Sequence, residues 1–402
     1  MASSLRTSKG QYLHGPQQLR LEERPMPSIS PSDVRIRVRS TTLCGSDMHY
    51  FKFGKNGSIE VKEPLCGGHE AAGEVVEVGA TALETGKFKV GDSVAIESGV
   101  ACLECDRCEA GRYNICAKMR FRSSGASFPH FQGTLQEFVD HPAEWCHKLS
   151  NTLSYDDGAL LEPLSVCVHS VNRAGMKQGA QCLVLGAGAV GLLCAAVAKI
   201  EYKSPVVIAD VDEGRVAFAL EHGFADVGFV VDPKKGETAE SRLSDAKDLA
   251  IQIGKQQWPE GEEVGQVDHV FECTGVESCV QTSIYVSSLS VLKLARKLIL
   301  LQAATNGGNV VLVGMGTAIQ TWPIAELTGR EINVVSVWRY ANCYPRAIEI
   351  MEGVRANSLK PDVTKLITHR FVGLDSIPSA YDTAGKTRDG ESKLVIKTVV
   401  NF

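Results

Sequence analysis

Four cysteines, Cys102, Cys105, Cys108 and Cys116, stand in the spacing C-x2-C-x2-C-x7-C. Thiolates this close can complete a tetrahedron around zinc without help from the rest of the fold. A closed tetrahedron has no open position, so its role is structural. Unrelated free thiols and disulfides are the plainer readings. The first ten residues, MASSLRTSKG, lack the apolar stretch of a signal peptide. The expected compartment is therefore the reducing cytoplasm, where clustered cysteines more often bind metal than pair.

A second constellation is Gly186-Ala-Gly188-Ala-Val190-Gly191, a G-x-G-x-x-G. Glycine triplets also occur in plain turns, but this one ends an apolar strand and opens a helix. Gly186 permits a tight turn, Gly188 lets the backbone approach a pyrophosphate, and Gly191 allows close helix–strand packing. The helix start adds free N–H groups and a positive dipole end. Asp210 closes the next apolar strand, 19 positions past Gly191. A carboxylate there accepts hydrogen bonds from both ribose hydroxyls and repels a 2′-phosphate, which favours NAD over NADP.

A third set is dispersed: Cys44 in LCGSDMHY, His69 and Glu70 in GGHEAAG, and Glu162 in LLEPLSV. A lone histidine is usually a hydrogen-bonded core residue and a lone glutamate is usually solvated. Periodicity cannot bring these residues together.

Two kinds of element must position all of these groups. Up to about residue 150 the chain reads as β: QLRLEER (Gln18–Arg24), VRIRVRS (Val34–Ser40), GEVVEVG (Gly73–Gly79) and DSVAIES (Asp92–Ser98) are extended, with glycine-rich turns between them. DDGALLEPLSVCVHSV (Asp156–Val171) reads as a helix with an acidic first turn. Beyond it QCLVLGAG, VVIAD, HVFECTG and NVVLVGMG are apolar strands alternating with helices, which implies a parallel sheet covered on both faces. KLVIKTVV (Lys393–Val400) reads as a closing strand. The chain has 402 residues, 44% of them hydrophobic and 22% charged, which excludes disorder and suggests two domains. The net charge of −5 excludes a nucleic-acid or membrane-surface role carried by bulk charge, and no apolar run is long enough to cross a bilayer.

GHEAAG at 68–73, GDSVAIE at 91–97, the four-cysteine lobe and GAGAVG occur in this order over nearly the whole chain. Together they resemble the zinc-containing medium-chain dehydrogenase/reductase family. CGSDMHY (Cys44–Tyr50), Glu162, ECTGVES (Glu272–Ser278) and WRYANCYPRAI (Trp338–Ile348) narrow the resemblance to its polyol dehydrogenases. The fold this implies is α/β. A GroES-like, mostly-β catalytic domain at 1–165 resumes at 338–402, around a Rossmann, doubly wound NAD-binding domain at 166–337.

The resemblance implies a catalytic zinc on Cys44, His69 and Glu70, with Glu162 reaching it directly or through water. It puts Asp210 and Arg215 on the adenosine ribose, and Val190, Val313, Gly314, Met315, Trp338, Arg339 and Tyr340 along the cofactor. It places Ser46, Tyr50, Glu162, Arg339 and Tyr340 near the substrate, although a structural salt bridge and a packed ring remain open readings for Arg339 and Tyr340. The implied reaction is oxidation of a polyol (sorbitol or L-iditol, xylitol, L-arabinitol) to a ketose. Zinc lowers the alcohol pKa, hydride passes to NAD, and the proton leaves by Ser46, His49 or Glu162. Related alcohol or amino-alcohol dehydrogenases, and a catalytically inactive relative of the fold, are the alternatives. The implied assembly is a dimer or tetramer, with an exposed edge strand near 310–316 as the pairing element.

Two stretches stand out as extra. Val286–Gln302 (VSSLSVLKLARKLILLQ) spans 17 residues with six leucines. Removing it leaves SIYAATNGGNVVLVGMG, which resembles the family without a gap. Its ends suit a GT…AG boundary, so it reads as a translated intron of 17 codons; the other reading is an extended crossover helix. The charged region Asp232–Gly265 reads as a solvated insertion.

Overall fold

The computed structural model describes residues 7–233, 236–287 and 307–402. They form two compact units. The first lies within Met1–Ser165, Ala341–Ala356 and Thr364–Phe402, and the second within Val166–Tyr340 and Asn357–Val363.

The first unit is built on a seven-stranded sheet. Its central strand, Asp33–Thr42, pairs antiparallel with Glu70–Val78, Phe138–Pro142 and Lys397–Asn401. The alternation of Val34, Ile36 and Val38 with basic residues buries those three side chains completely. Arg35 departs from the simple pattern. It is buried and satisfied by Asp140 at 2.7 Å and Glu77 at 2.7 Å. Of the stretch Lys393–Val400, only Lys397 onward is strand.

The second unit carries a six-stranded, wholly parallel sheet. Its order is Val227–Val230, Val206–Asp210, Cys182–Leu185, His269–Glu272, Asn309–Leu312 and Asn333–Ser336. The order reverses between Cys182–Leu185 and His269–Glu272. In doubly wound sheets ligands bind at the carboxyl ends of the strands flanking such a reversal. The helix Ala189–Tyr202 follows the first strand, and every residue from Gly191 to Ala198 is buried.

Two sequence expectations are corrected here. Asp232–Gly265 is not a solvated insertion: it contains the helix Ala239–Gly254, with Ala246, Ala250 and Ile253 buried. Spaced by three and four, Leu243, Ala246, Ala250 and Ile253 share one helix face and pack on Val227, Trp258, Val264 and Val267. The high charge belongs to the opposite face. The helix supplies the crossover from Val227–Val230 to His269–Glu272 that parallel strands require. Ile253→Ala is therefore expected to destabilise the protein by about 2–5 kcal/mol, whereas Lys247→Ala on the exposed face stays within about 0.5 kcal/mol. Chemical denaturation of the two variants distinguishes a packed helix from a solvated insertion, which would give equal, small effects.

The second correction concerns the expected edge near 310–316. Asn309–Leu312 is paired on both sides, and among the described residues the sheet edge on that side is Asn333–Ser336. Of the stretch 286–302, Val286 ends the helix Glu277–Val286 and Ser287 is its cap; residues 288–302 lie outside the described residues.

Candidate active site

In the four-cysteine lobe the Sγ atoms stand 3.5 Å (Cys105–Cys108, Cys102–Cys116) and 3.9 Å (Cys102–Cys108, Cys105–Cys116) apart. A tetrahedron with zinc–sulfur bonds of about 2.3 Å has edges of about 3.8 Å. Disulfide sulfurs would lie near 2.05 Å, and all four cysteines are free. The donor set fits zinc and is closed by its own four thiolates.

The first unit also brings Cys44, His69 and Glu70 together, with one ligand atom of each within 4.8 Å of the others. Cys44 caps the helix Gly45–Phe53, while His69 and Glu70 meet the start of the strand Glu70–Val78. A thiol, an imidazole and a carboxylate form a mixed donor set of the kind catalytic zinc uses. Three protein ligands leave a position open. Glu162 is buried in the helix Tyr155–Ala174 of the same chain segment but stands outside this three-residue group.

Side chains that the sequence reading passed over hold this group in place. Buried Asp47 accepts from the Cys44 N–H at 3.0 Å and the Gly68 N–H at 3.0 Å, tying the two metal-facing segments together. His69 Nδ1 meets Ser123 Oγ at 2.8 Å, which leaves Nε2 for an ion. Glu70 accepts from the Thr42 hydroxyl and from Lys397 Nζ, at 2.6 Å to Oε1 and 2.5 Å to Oε2. Lys397 is itself only 5% exposed. Burial works against its charge, and the Glu70 carboxylate, with Cys44 and Glu162 adding, more than reverses that and raises its pKa. The available signal was a lysine two positions before Val399, on the same side of the closing strand Lys397–Asn401.

The remaining expected residues of this unit are more dispersed. Ser46 is half-buried in the first helical turn. His49 Nδ1 lies 3.0 Å from Asn56 Oδ1. Tyr50 packs with Leu13 and Leu65, and its hydroxyl accepts from the Gly125 N–H at 3.3 Å.

In the second unit the three glycines differ in what surrounds them. Gly186 has φ +98°. A Cβ on Gly191 would lie 1.8 Å from the Gly186 carbonyl oxygen, whereas a Cβ on Gly188 would meet nothing nearer than Arg215 Nη1 at 3.9 Å. Gly191 is thus sealed by packing, and Gly188 fronts open space at a helix start. A dinucleotide's pyrophosphate fits that opening. Asp210 Oδ2 accepts from the Ala187 N–H at 2.7 Å, which joins the end of its strand to the glycine turn. Val190 accepts from the Cys167 thiol. Val313 and Gly314 both donate to the Glu272 carbonyl, at 2.9 and 2.8 Å. A Cβ on Gly314 would lie 2.2 Å from the Gly275 nitrogen, so the two turns are pressed backbone to backbone. Met315 is exposed, Trp338 is partly exposed with the Arg339 guanidinium 4.9 Å over its ring, and Tyr340 is buried.

These environments predict opposite phenotypes. Gly188→Val is expected to keep the melting temperature and to weaken NAD binding at least about tenfold by filling the opening. Gly191→Ala forces backbone apart and is expected to lower stability by about 1–3 kcal/mol. Calorimetric NAD titration beside thermal melts reads both.

A metal-ligand cluster and a nucleotide-type glycine turn in one chain define a metal-dependent, dinucleotide-linked oxidoreductase. The alcohol dehydrogenase GroES-like domain family matches residues 30–151. The sorbitol dehydrogenase of Arabidopsis thaliana is 35% identical over 376 residues, 93% of this chain and 91% of that protein. The L-arabinitol 4-dehydrogenase of Aspergillus niger is 36% identical over 382 residues, 92% of this chain and 86% of that protein. Among solved structures, L-idonate 5-dehydrogenase from Escherichia coli has the same fold, with a TM-score of 0.78 at 22% identity over 99% of both chains. The 2R,3R-butanediol dehydrogenase from Bacillus subtilis has a TM-score of 0.74 at 25% identity, covering 98% of this chain and 99% of that one. The chain belongs to the polyol dehydrogenases of the zinc-containing medium-chain dehydrogenase/reductase family.

Proposed function

We propose that this chain oxidises a polyol (sorbitol or L-iditol, xylitol, L-arabinitol) to the corresponding ketose, with NAD as acceptor. The observation that carries the reading is the convergence of Cys44, His69 and Glu70 within 4.8 Å in a chain with polyol dehydrogenases as its relatives. Zinc on these residues supplies Lewis acidity that lowers the pKa of a substrate hydroxyl, and NAD supplies the hydride acceptor. The overall balance is secondary alcohol plus NAD⁺ to ketone, NADH and a proton.

The protein's own groups do the rest. Asp47 and Lys397 hold the side chains that would bind zinc, which would keep those donors oriented for the ion. Glu162, buried in the same unit, serves as an outer partner through water. Ser46, His49 and Glu162 are the proton-relay candidates. Arg339, Tyr340 and Tyr50 take the hydroxyls that separate a polyol from a simple alkanol, because unpaired polar groups penalise a substrate lacking them. Asp210 and Arg215 receive the adenosine ribose, Gly186, Gly188 and Gly191 shape the pyrophosphate turn, and Val190, Val313, Gly314, Met315 and Trp338 line the cofactor. The four-cysteine lobe is structural. A dimer or tetramer in the cytoplasm completes the reading, and no helix among the described residues is long and apolar enough to cross a membrane.

A panel of sorbitol, xylitol, L-arabinitol, ethanol and threonine, each with NAD and NADP, tests this beside a zinc count. NADH formation from polyols, two zinc ions per chain and loss of activity on chelation support it. Preference for ethanol or threonine selects the alcohol or amino-alcohol alternative. Two bound zinc ions with no turnover of any polyol select a non-catalytic relative.

A further inference from the structure

The four-cysteine lobe also makes hydrogen bonds to the segment that follows Tyr340. Tyr113 lies between Cys108 and Cys116, with its ring edge-on to Trp145 at 4.9 Å. Its hydroxyl donates to Glu97 Oε1 at 2.7 Å and accepts from the backbone N–H of Asn342 at 2.7 Å. Glu97 is buried, and its other oxygen meets His147 Nε2 at 2.7 Å. Asn342 makes a second bond to the lobe, from Nδ2 to the Gly111 carbonyl at 2.8 Å. Two residues of this short stretch, Arg339 (φ +50°) and Asn342 (φ +59°), are in the left-handed region. Residues other than glycine adopt it uncommonly, at some conformational cost. Asparagine tolerates it best, and arginine has no such excuse. The chain is therefore held in a tight, unfavourable path from Arg339, and the bonds that fasten its exit come from the cysteine lobe.

We infer that the lobe is a positioning device for the turn Trp338–Tyr344: Tyr113 and Gly111 pin Asn342, and the pin sets the backbone of Arg339 three residues upstream. Tyr113 and Asn342 are positioning residues. The inference rests on the proposal that Arg339 contacts the polyol, and a zinc ion held by the lobe would then bear on substrate affinity without touching substrate.

Two conservative variants test it. Tyr113→Phe keeps the ring against Trp145 and removes only the hydroxyl. Asn342→Gly keeps the backbone N–H and suits the left-handed conformation, and removes only the bond to Gly111. The expected result for Tyr113→Phe is a rise in polyol KM of about five- to tenfold, from loss of the hydroxyl's bonds to Glu97 and to the Asn342 N–H. The kcat, the NAD KM and two bound zinc ions are retained, and hydrogen exchange of the Asn342 amide accelerates. Asn342→Gly shows a smaller KM rise with unaltered amide exchange. Arg339→Ala raises KM further, and adding Tyr113→Phe to it has little additional effect, because residues acting as one unit are not additive. Additive effects, or an unchanged KM in Tyr113→Phe, overturn the inference. If the wild-type chain turns over no polyol, the functional reading fails on its own. The exchange measurement then still decides the pin: an unaltered Asn342 amide in Tyr113→Phe refutes it.

Discussion

Cys44→Ser is expected to lower polyol turnover by about a thousandfold or more, because Lewis-acid stabilisation is worth several kcal/mol and each 1.36 kcal/mol is tenfold in rate. Bound zinc should fall from two ions per chain to one. Cys44 contributes one of only three ligand atoms in its group, whereas the lobe keeps its four thiolates. Serine is a much poorer zinc ligand at neutral pH than a thiolate, which is the species the metal binds. The fold should survive. Cys44 caps the helix Gly45–Phe53 through its backbone, whose N–H is held by Asp47, and serine is a favoured residue at that position. Metal analysis and steady-state kinetics on one preparation make the check. A Cys44→Ser protein with two zinc ions and full activity refutes the site.

The second large effect is expected at Lys397. Lys397→Met keeps the length and apolar stem and removes the charge. Glu70 is only 1% exposed and would keep the Thr42 hydroxyl as its remaining hydrogen-bond donor here. Removing one partner of a buried ion pair costs about 3–5 kcal/mol, since the other charge is left uncompensated. In the metal-free protein this corresponds to a loss of about 6–20 °C in melting temperature for a unit of this size. Zinc should restore part of the loss, because a dication beside Glu70 takes over the lysine's electrostatic role. The double variant Lys397→Met/Glu70→Gln should be much less unstable than the sum of its parts, as in any coupled pair. Thermal melts with and without zinc measure all three states. An unchanged metal-free melt for Lys397→Met, or additivity in the double variant, shows that Glu70 and Lys397 are not a coupled unit.

The chemistry written into short stretches was legible. The C-x2-C-x2-C-x7-C spacing confines four thiols to a lobe small enough to converge by themselves, and the structure puts them at tetrahedral separations. GAGAVG after an apolar strand dictated a turn in which Gly191 has no room and Gly188 has space, because backbone clearance is a local property. The parallel α/β class followed from apolar strands alternating with helices.

Long-range convergence was not legible from spacing. Cys44, His69 and Glu70 were brought together by resemblance alone. Lys397 is 327 positions from the carboxylate it neutralises, and nothing in its own strand names that partner. The helix Ala239–Gly254 was read as solvent because its charged face outnumbers its small buried one, and alanines carry a weak apolar signal. The edge of the parallel sheet was misplaced because a strand's own residues do not say how many neighbours it has; the strand Asn333–Ser336 decides that for Asn309–Leu312. Sequence alone determined the residues capable of chemistry and the local turns that hold them. Tertiary structure decided which charges are buried, which partners offset them and which backbone is pinned, since each depends on contacts between segments hundreds of residues apart.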